Sequence, residues 1–357
     1  MTMTMFDIAL PSQNMFICFC NKKKECYIPK YINETSSVYF FDIAIDRWDL
    51  VISDEDKIVI HYLNKEKQFF INKYVPREIK IYWIIWGADL FNNILENRGY
   101  KIYAKCNSVR NLKYYLKKIT NINYFRTIST VRFIRKRIKY VLTTTIKKDD
   151  PYIKKLRLPK SIRFKEFFYY PIDYILGDDL KDKSVICSSK NILCGNSASF
   201  TNNHEYVIKE LARIGISDYS VKMPLSYGGS EEYIYVIEKK GKKVFGRQFE
   251  VIKSFLPLNE YNIILQHSPI CVYGNWRPEA FGNILIVLYL GAKVYFSKYN
   301  QHFYALSDMG LRIFTLETAQ HCDFFQPLSC DEQAQNREIL KKKYSFDRLL
   351  SIIQHLF

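Results

Sequence analysis

The 357-residue sequence contains no run of about 18 apolar residues, the length that a membrane-spanning helix requires. It also lacks the basic start followed by a short apolar stretch that is typical of a signal peptide, so we expect none. Its nine cysteines form no CxxC pair and no cysteine–histidine spacing of a zinc site. Unpaired thiols in apolar runs, as at Cys18, Cys20 and Cys194, are typical of a reducing compartment. These absences predict a protein of the cytoplasm or of the cytoplasmic face of a membrane.

Signatures of base recognition are also missing, since we find no helix-turn-helix, zinc finger or RNP-like motif. There is no internal repeat and no low-complexity tract. A content of 48% hydrophobic and 16% aromatic residues excludes general disorder and is ample for two cores. We therefore expect a two-domain globular protein that does not bind nucleic acid.

Acidic residues are scarce in one segment. Residues 101–165 contain 20 lysines and arginines against two acidic residues, a net charge of +18, while the whole chain carries +17. Such a concentration favours contact with a polyanionic surface. Within it, apolar residues recur at helical spacing over 131–142, which predicts a basic amphipathic helix. The candidate membrane or acceptor contacts on this helix are Arg132, Arg135, Lys136, Arg137 and Lys139. We prefer contact with anionic lipid, and an ordinary solvated helix packed on a sheet is the alternative.

Short apolar runs alternate with helical patterns along the chain, which favours an α/β fold with parallel, doubly wound sheets. A looser connection at 169–188 predicts the domain boundary. We expect an N-terminal Rossmann-like domain over 1–175, facing the membrane and acceptor. A C-terminal Rossmann-like domain over 190–340 is expected to bind a nucleotide, and a helix at 341–357 to pack back across the domains.

One expected strand, 78–85, leads directly into Trp86-Gly87-Ala88-Asp89-Leu90. Carboxyl ends of parallel strands are where open α/β sheets bind ligands, so Asp89 is a candidate general base. Its alternative role is to cap the helix that begins near Leu90. His61, at the end of an earlier expected strand, is a second candidate base, and a core histidine is the alternative.

A second strand–turn–helix pattern begins at the expected strand 191–194. The small-residue turn Gly195-Asn196-Ser197 follows it, and Thr201 or Asn202 is expected to cap the next helix, which Gly215 ends. This layout accepts a phosphate or a sugar close to the backbone, although many turns between a strand and a helix are similar.

The stretch Asn275 to Asn283 is followed by an uninterrupted apolar run from Ile284 to Leu290. Pro278 suits the first turn of a helix, which we expect to begin there and to end at Gly291. Helix N-termini favour anions, so a pyrophosphate is expected at Gly282 and Asn283. Arg277 supplies a planar fork for phosphate, and Glu279 accepts hydrogen bonds from sugar hydroxyls. The alternative is a buried helix with a polar cap.

These motifs together resemble glycosyltransferase family 56, the TDP-4-acetamido-4,6-dideoxygalactose:lipid II transferases of enterobacterial common antigen synthesis. The resemblance covers about residues 56–320. It is carried by Trp86 to Leu90, Gly195-Asn196-Ser197 with Asn202 and His204, Pro224 with Tyr227, and Arg277 with Phe281-Gly282.

The resemblance implies a GT-B fold, with two Rossmann-like domains facing a cleft. It also implies that a sugar is transferred, with inversion and without a metal ion or cofactor, from a TDP-sugar to an acceptor linked to polyprenyl pyrophosphate. The adjacent Asp178 and Asp179 lie in the expected connection and not after a strand, so we expect no metal site. The donor-binding residues expected from the motifs and the resemblance are Gly195, Asn196, Ser197, Asn202, His204, Tyr227, Arg277, Glu279, Phe281, Gly282 and Asn283.

Two departures from the family bear on substrates. Ser199-Phe200 stands where the family has an Asp-Arg pair, so the resemblance does not fix the donor sugar. The basic stretch is an insertion, which favours another acceptor, such as an O-antigen or capsule repeat unit on undecaprenyl pyrophosphate, at the inner membrane. Two alternatives stay open: a basic adaptor without catalysis, which binds anionic lipid or nucleic acid through residues 101–165, and a GT-B enzyme with a soluble acceptor.

Overall fold

A computed structural model describes residues 2–22, 37–104 and 122–356, with the side chains of 122–124 left aside. The chain divides into two compact units. Unit 1 comprises the described residues of 1–98, 121–169 and 347–357, and unit 2 comprises those of 99–120 and 170–346. Within these ranges, no helix combines the length and the apolar content needed to cross a bilayer.

The strands, in chain order, are β1 (Phe16–Phe19), β2 (Val38–Phe41), β3 (Lys57–His61), β4 (Lys80–Ile84), β5 (Ile138–Thr143), β6 (Arg163–Glu166), β7 (Asn191–Cys194), β8 (Ser220–Pro224), β9 (Phe249–Ile252), β10 (Ile270–Tyr273), β11 (Lys293–Phe296) and β12 (Phe314–Thr315). The helices are α1 (Thr2–Ala9), α2 (Lys65–Tyr74), α3 (Ala88–Leu90), α4 (Ile122–Arg137), α5 (Pro151–Lys154), α6 (Ile172–Leu180), α7 (His204–Ile214), α8 (Glu231–Phe245), α9 (Leu258–Gln266), α10 (Phe281–Leu290), α11 (Gln301–Asp308), α12 (His321–Phe324), α13 (Cys330–Lys343) and α14 (Phe346–Gln354).

Unit 1 is built on a parallel sheet with strand order β3-β4-β5-β6, while β1 and β2 form a separate parallel pair. The expected helix over 131–142 is wrong in its second half, because α4 ends at Arg137 and β5 follows at once. Ile138, Val141 and Leu142 are buried in β5, which pairs with β4 on one side and β6 on the other. Branched and aromatic residues suit such a strand, and pairing with two neighbours overrides the helical spacing.

Unit 2 is built on a parallel sheet with strand order β12-β11-β10-β7-β8-β9. The chain adds β8 and β9 on one side of β7, then returns and adds β10, β11 and β12 on the other side. This is the doubly wound arrangement of a Rossmann fold, and its topological switch point lies between β7 and β10. The parallel α/β architecture expected from the sequence is confirmed.

Helix α10 is apolar on all sides, and its residues from Ile284 to Leu290 are buried. It packs against α6, α9 and α13, as a helix without a polar face must. Gly291 ends it with a φ of 94°, and a Cβ there would lie 2.4 Å from Oε1 of Gln333. The expected helix end is confirmed. The expected start at Pro278 is wrong, because Ala280 adopts a left-handed conformation and α10 begins at Phe281.

Two further local expectations are corrected. Helix α7 begins after Asn203, which adopts a left-handed φ of 51°, and neither Thr201 nor Asn202 caps it. The loose connection expected at 169–188 contains α6, with a break in helical geometry at Gly177.

Candidate active site

The loops at the carboxyl ends of β7 and β10 meet at the switch point of unit 2, where open α/β sheets bind ligands. The two loops are the sequence motifs that begin at Gly195 and at Asn275. Asn203 joins them, because its Nδ2 donates to the carbonyl oxygens of Gly274, at 3.0 Å, and Thr201, at 3.2 Å. A Cβ on Gly274 would lie 2.8 Å from the carbonyl oxygen of Asn202, so glycine permits this close approach.

The turn after β7 is shaped by Asn202. Its Oδ1 accepts a hydrogen bond from the backbone N of Asn196 at 3.2 Å, and its Nδ2 donates to Oγ of Ser197 at 3.2 Å. Gly195 has a φ of 73°, and a Cβ there would lie 2.7 Å from Oδ1 of Asn202. Asn202 is fully buried, so its role is to position the turn Gly195-Asn196-Ser197. Of these three turn residues, only Asn196 is partly exposed.

His204 and Tyr227 flank this turn. Nδ1 of His204 lies 2.8 Å from the hydroxyl of Tyr233, and Nε2 has no partner among the described residues. Burial lowers the pKa of His204 to about 3, so the ring is neutral at physiological pH. The half-exposed Tyr227 accepts a hydrogen bond at its hydroxyl from Nδ2 of Asn196 at 3.2 Å.

The turn after β10 contains a buried ion pair. Nη2 of Arg277 lies 2.6 Å from Oε2 of Glu279, and the hydroxyl of Thr201 donates to the same oxygen at 2.9 Å. Nδ2 of Asn275 donates to the other carboxylate oxygen. Burial raises the pKa of Glu279, while Arg277 and Thr201 oppose this shift by favouring the charged form. Both carboxylate oxygens of Glu279, which is expected to bind a sugar, therefore have protein partners in this structure.

Arg277 keeps unused hydrogen-bond donors. Its Nη1 donates to the carbonyl oxygen of Pro278 at 3.1 Å, whereas Nε is buried and has no partner among the described residues. The guanidinium is thus held in place by contacts with Glu279, Pro278 and Thr201, and its Nε keeps an N–H for a further acceptor.

The start of α10 lies next to this pair. Ala280, the preceding residue, makes no side-chain capping bond, so the first N–H groups of the helix have no capping side chain. Nδ2 of Asn283 donates to the hydroxyl of Tyr261 at 3.2 Å. A Cβ on Gly282 would lie 3.5 Å from the ring of Tyr170, so that ring covers the glycine. Phe281 packs on the ring of His302, with centroids 4.8 Å apart.

Buried polar atoms without partners are concentrated at this edge of the sheet. Among the described residues of unit 2, they all lie within 196–204 or 273–302. Those that concern the site are Asn196 Oδ1, His204 Nε2, Tyr273 OH, Asn275 Oδ1, Trp276 Nε1, Arg277 Nε, Asn300 Nδ2 and both ring nitrogens of His302. Unpaired buried polar groups are rare and costly in folded proteins, so a cluster of them at a switch point indicates a site for a polar ligand.

Several residues of this edge were missed as site residues from the sequence, among them Thr201, Asn203, Asn275 and His302. Asn203 and Thr201 follow a small-residue turn, and Asn275 directly precedes the Trp276-Arg277 motif, so a weak local signal existed for these three. His302 carried none, because its place at the edge depends on β11 lying beside β10.

Asp89, in unit 1, is 1% exposed and accepts four hydrogen bonds. Oδ2 accepts from the backbone N of Leu63 at 3.0 Å and from Nε1 of Trp83 at 2.8 Å. Oδ1 accepts from the backbone N atoms of Trp86, at 3.0 Å, and Leu90, at 3.1 Å. Burial raises the pKa of Asp89, and the hydrogen bonds oppose the shift. These contacts support the turn after β4, but Asp89 is not the expected helix cap, because it lies within α3 and the residue before that helix is Gly87.

His61, at the end of β3, has more freedom. It is only partly covered, and its ring lies 6.0 Å from that of Tyr169 and 6.3 Å from that of Phe6. Burial, and then the charge of Lys67, lower its pKa to about 4. The imidazole is therefore neutral at physiological pH and retains a basic nitrogen. A role for either Asp89 or His61 as a base stays a prediction.

The five basic residues expected on one helix differ in their surroundings. Nε of Arg135 donates to the carbonyl oxygen of Leu156 at 3.0 Å, and Nη2 of Arg137 donates to those of Val75 and Pro76, each at 3.0 Å. Lys139 lies on β5. Arg132 and Lys136 are the exposed pair on α4. The rest of the basic stretch that falls on 105–121 lies outside the described residues.

Within the described ranges, no group of three or more histidine, cysteine, aspartate or glutamate side chains is placed to hold a metal ion. Asp178 lies on α6 and pairs with Lys181 at 2.8 Å. Metal-independent transfer stays a prediction.

Comparison with known proteins identifies the family. A family model described as 4-alpha-L-fucosyltransferase, glycosyl transferase group 56, matches residues 70–346. The chain belongs to glycosyltransferase family 56. The resemblance expected from the motifs is confirmed, and the family 56 chain is an enzyme and not the adaptor without catalysis.

Solved structures show the fold of this family 56 chain. The N-terminal domain of trehalose-6-phosphate phosphatase from Candida albicans is 10% identical, with a TM-score of 0.58, over 86% of this chain and 70% of that one. Sucrose-phosphate synthase from Thermosynechococcus elongatus is 10% identical, with a TM-score of 0.55, over 84% and 72%. A UDP-forming alpha,alpha-trehalose-phosphate synthase from Burkholderia vietnamiensis is 10% identical, with a TM-score of 0.54, over 86% and 71%. The GT-B fold is thereby confirmed, and the family assignment makes the chain a glycosyltransferase that uses a nucleotide-sugar donor.

Proposed function

We propose that this family 56 enzyme is an inverting, metal-independent transferase that moves a deoxy- or acetamido-hexose from a TDP-sugar to a glycan on undecaprenyl pyrophosphate. It acts in synthesis of a surface polysaccharide of the O-antigen or enterobacterial common antigen type, at the cytoplasmic side of the inner membrane. The supporting observation is the cluster of unpartnered buried polar atoms at the switch point of unit 2. Residues 190–340 are proposed to bind the donor and residues 1–175 the acceptor.

The donor diphosphate is proposed to lie against Arg277 and the start of α10. The free Nε of Arg277 and the uncapped N–H groups of Phe281, Gly282 and Asn283 supply hydrogen-bond donors, and the helix dipole adds positive potential. These groups stabilise the charge that develops on the diphosphate as it leaves, which a metal ion does in other transferases.

Glu279 is proposed to hold Arg277 in place as well as to contact the sugar. Its carboxylate joins Arg277, Thr201 and Asn275, so it links both loops of the switch point. A hydroxyl group of the nucleotide-sugar reaches the Glu279 carboxylate by replacing one of these hydrogen-bond partners. Gly195, Asn196 and Ser197, with Asn202, His204 and Tyr227 behind them, form the other wall of the donor site in this proposal.

Inversion requires a base that removes the proton of the acceptor hydroxyl. Asp89 is the first candidate and His61 the second. Burial lowers the pKa of His61 to about 4, which keeps the ring neutral but makes it a weak base, and both oxygens of Asp89 are held by N–H groups. The contacts of Asp89 favour a role in positioning the turn, and the choice of base between the two residues stays a prediction.

The test is donor affinity, measured by isothermal titration calorimetry with TDP-, UDP- and GDP-sugars, together with turnover of the preferred donor. Replacing Arg277 with Ala should reduce turnover about 100-fold or more if its guanidinium stabilises the leaving diphosphate. Arg312→Ala is the matched control, because Arg312 also pairs with a glutamate, Glu332, at 2.8 Å, but on the surface.

We expect selective binding of TDP-sugars, weakened by Arg277→Ala and not by Arg312→Ala. This result would support both the TDP-sugar as donor and the proposed binding site at Arg277. Selective binding of UDP- or GDP-sugars would keep the site and reject the TDP assignment. Unchanged turnover in Arg277→Ala would reject the proposed role of Arg277.

A further inference from the structure

His302 is a buried histidine at the same edge of the unit 2 sheet. It is the second residue of α11, which follows β11, and β11 pairs with β10. The side chain is 4% exposed, and neither ring nitrogen makes a hydrogen bond of good geometry with a described residue, although the ring interacts with the backbone of Glu279. A buried imidazole whose nitrogens are not both well paired does not recover the hydrogen bonds that it loses to water, which destabilises the fold.

The surroundings hold the ring in one place. Phe281 packs on it with centroids 4.8 Å apart, and Oδ1 of Asn300 accepts a hydrogen bond from the backbone N of His302 at 2.9 Å. Asn300 is itself fully buried, with its Nδ2 unpartnered. Two neighbouring side chains therefore keep unused polar atoms beside the turn that carries Arg277 and Glu279.

The ring is neutral. Burial lowers the pKa of His302 to about 3; interaction of the ring with the backbone of Glu279 opposes this shift, and the charge of Arg277 adds to it. A neutral imidazole presents one N–H donor and one acceptor nitrogen. That combination matches a hydroxyl group, which also donates and accepts, better than a second phosphate.

We propose that His302 is a donor-binding residue, whose ring nitrogens bind a hydroxyl group of the nucleotide-sugar next to the diphosphate held by Arg277. The proposal rests on the donor site proposed above. Asn300 positions the ring through the backbone of His302, and Phe281 supports its face. The hydroxyl belongs either to the nucleoside sugar or to the transferred sugar, and the two sources are separable by experiment.

The experiment compares His302→Phe with His302→Gln by calorimetry, using TDP and TDP-glucose, or the UDP pair if wild type prefers it. Phenylalanine keeps a flat ring without polar atoms, and glutamine keeps both a donor and an acceptor. We expect His302→Phe to weaken binding about tenfold or more, and His302→Gln to restore most of it. An equal loss for both ligands places the hydroxyl on the nucleoside, and a loss for TDP-glucose alone places it on the transferred sugar.

A purely structural role predicts a different result, namely a changed melting temperature with unchanged dissociation constants in both variants, and it would overturn the proposal. If His302→Phe does not fold, the imidazole ¹⁵N resonances of wild-type His302 provide a second test. They should shift on adding TDP-glucose, and unshifted resonances while the ligand binds would overturn the proposal. If wild type binds no nucleotide, the donor site itself fails, which is distinguishable from failure of His302 alone.

Discussion

Asp89 shows how one carboxylate can serve a fold. Every hydrogen bond that it accepts comes from an N–H group, two at each oxygen, in the strand β4, the turn after it and the residue Leu63. The carboxylate thus joins β4 to the segment that follows β3, the strand that ends at His61. The side chain that the sequence marks as a candidate base therefore holds together the backbone segments that follow β3 and β4.

Replacing Asp89 with Asn should destabilise unit 1 by about 2–3 kcal/mol, because the amide NH₂ would face two N–H donors that no longer have an acceptor. Chemical denaturation monitored by tryptophan fluorescence measures this change. Asp56→Asn is the control, since Asp56 is exposed and accepts one backbone hydrogen bond, from Ser53 at 2.7 Å. Unchanged stability with a turnover reduced 100-fold or more would contradict the supporting role and favour Asp89 as the base.

At the scale of elements, glycines decide how closely the parts of unit 2 approach. Gly241 lies inside α8, and a Cβ there would lie 2.2 Å from the ring of Phe249 on β9. Gly229 meets a similar limit, because a Cβ would lie 2.4 Å from the carbonyl oxygen of Ala198. The second contact brings the loop after β8 onto the turn after β7, and so shapes the proposed donor site.

Gly241→Ala tests this packing. In an exposed helix, alanine in place of glycine stabilises by about 1 kcal/mol. Here the buried ring of Phe249 must move, and overpacking of this kind costs about 1–3 kcal/mol, so we expect a net loss of stability in thermal unfolding.

Gly282→Ala is the matched control, because its Cβ would meet the ring of Tyr170 at an ordinary 3.5 Å. That variant should keep or raise the melting temperature of wild type, because alanine favours the helix and its Cβ has room. Equal melting temperatures for both variants would show that α8 and β9 are not packed as described.

For the whole molecule, charge distribution is the main feature outside the donor site. The helices α2 and α4 of unit 1 lie side by side, and Nζ of Lys65 donates to the carbonyl oxygen of Arg126 at 3.3 Å. Beside one exposed acid, Glu66, their exposed residues include five cations and two phenylalanines: Lys65, Phe69, Lys73, Phe125, Arg126, Arg132 and Lys136. Cations with exposed aromatic rings suit a surface of anionic lipid, which supports the proposed location at the inner membrane.

Vesicle flotation measures this property. Wild type should bind vesicles that contain phosphatidylglycerol, with about 1 kcal/mol from each cation near the surface, and should dissociate in high salt. The triple variant Lys65→Glu, Arg132→Glu, Lys136→Glu should lose most of this binding.

The control is Lys209→Glu, Lys239→Glu, Lys243→Glu, which makes the same charge change at exposed positions of unit 2. Equal loss in both variants would indicate a general charge effect and not a surface on α2 and α4. No binding by wild type would favour the alternative of a soluble acceptor.

Much of unit 2 could be predicted from local sequence. β7 has the expected bounds, and Gly215 and Gly291 end their helices as expected, because a left-handed glycine ends a helix whatever surrounds it. The strand at 138–143 could not be predicted in this way. Its helical spacing is real, but pairing with β4 and β6 is a contact between distant parts of the chain.

The sequence by itself determined the α/β class, the family and the two loops that hold the proposed donor site. Each of these depends on residue types at short spacing, and such local preferences act wherever the segment lies. Only the tertiary structure decided that Arg277 and Glu279 both meet Thr201, and that His302 lies on Phe281. These contacts join the edges of β7, β10 and β11, so the order of strands in the sheet, and not their order in the chain, brings the side chains together.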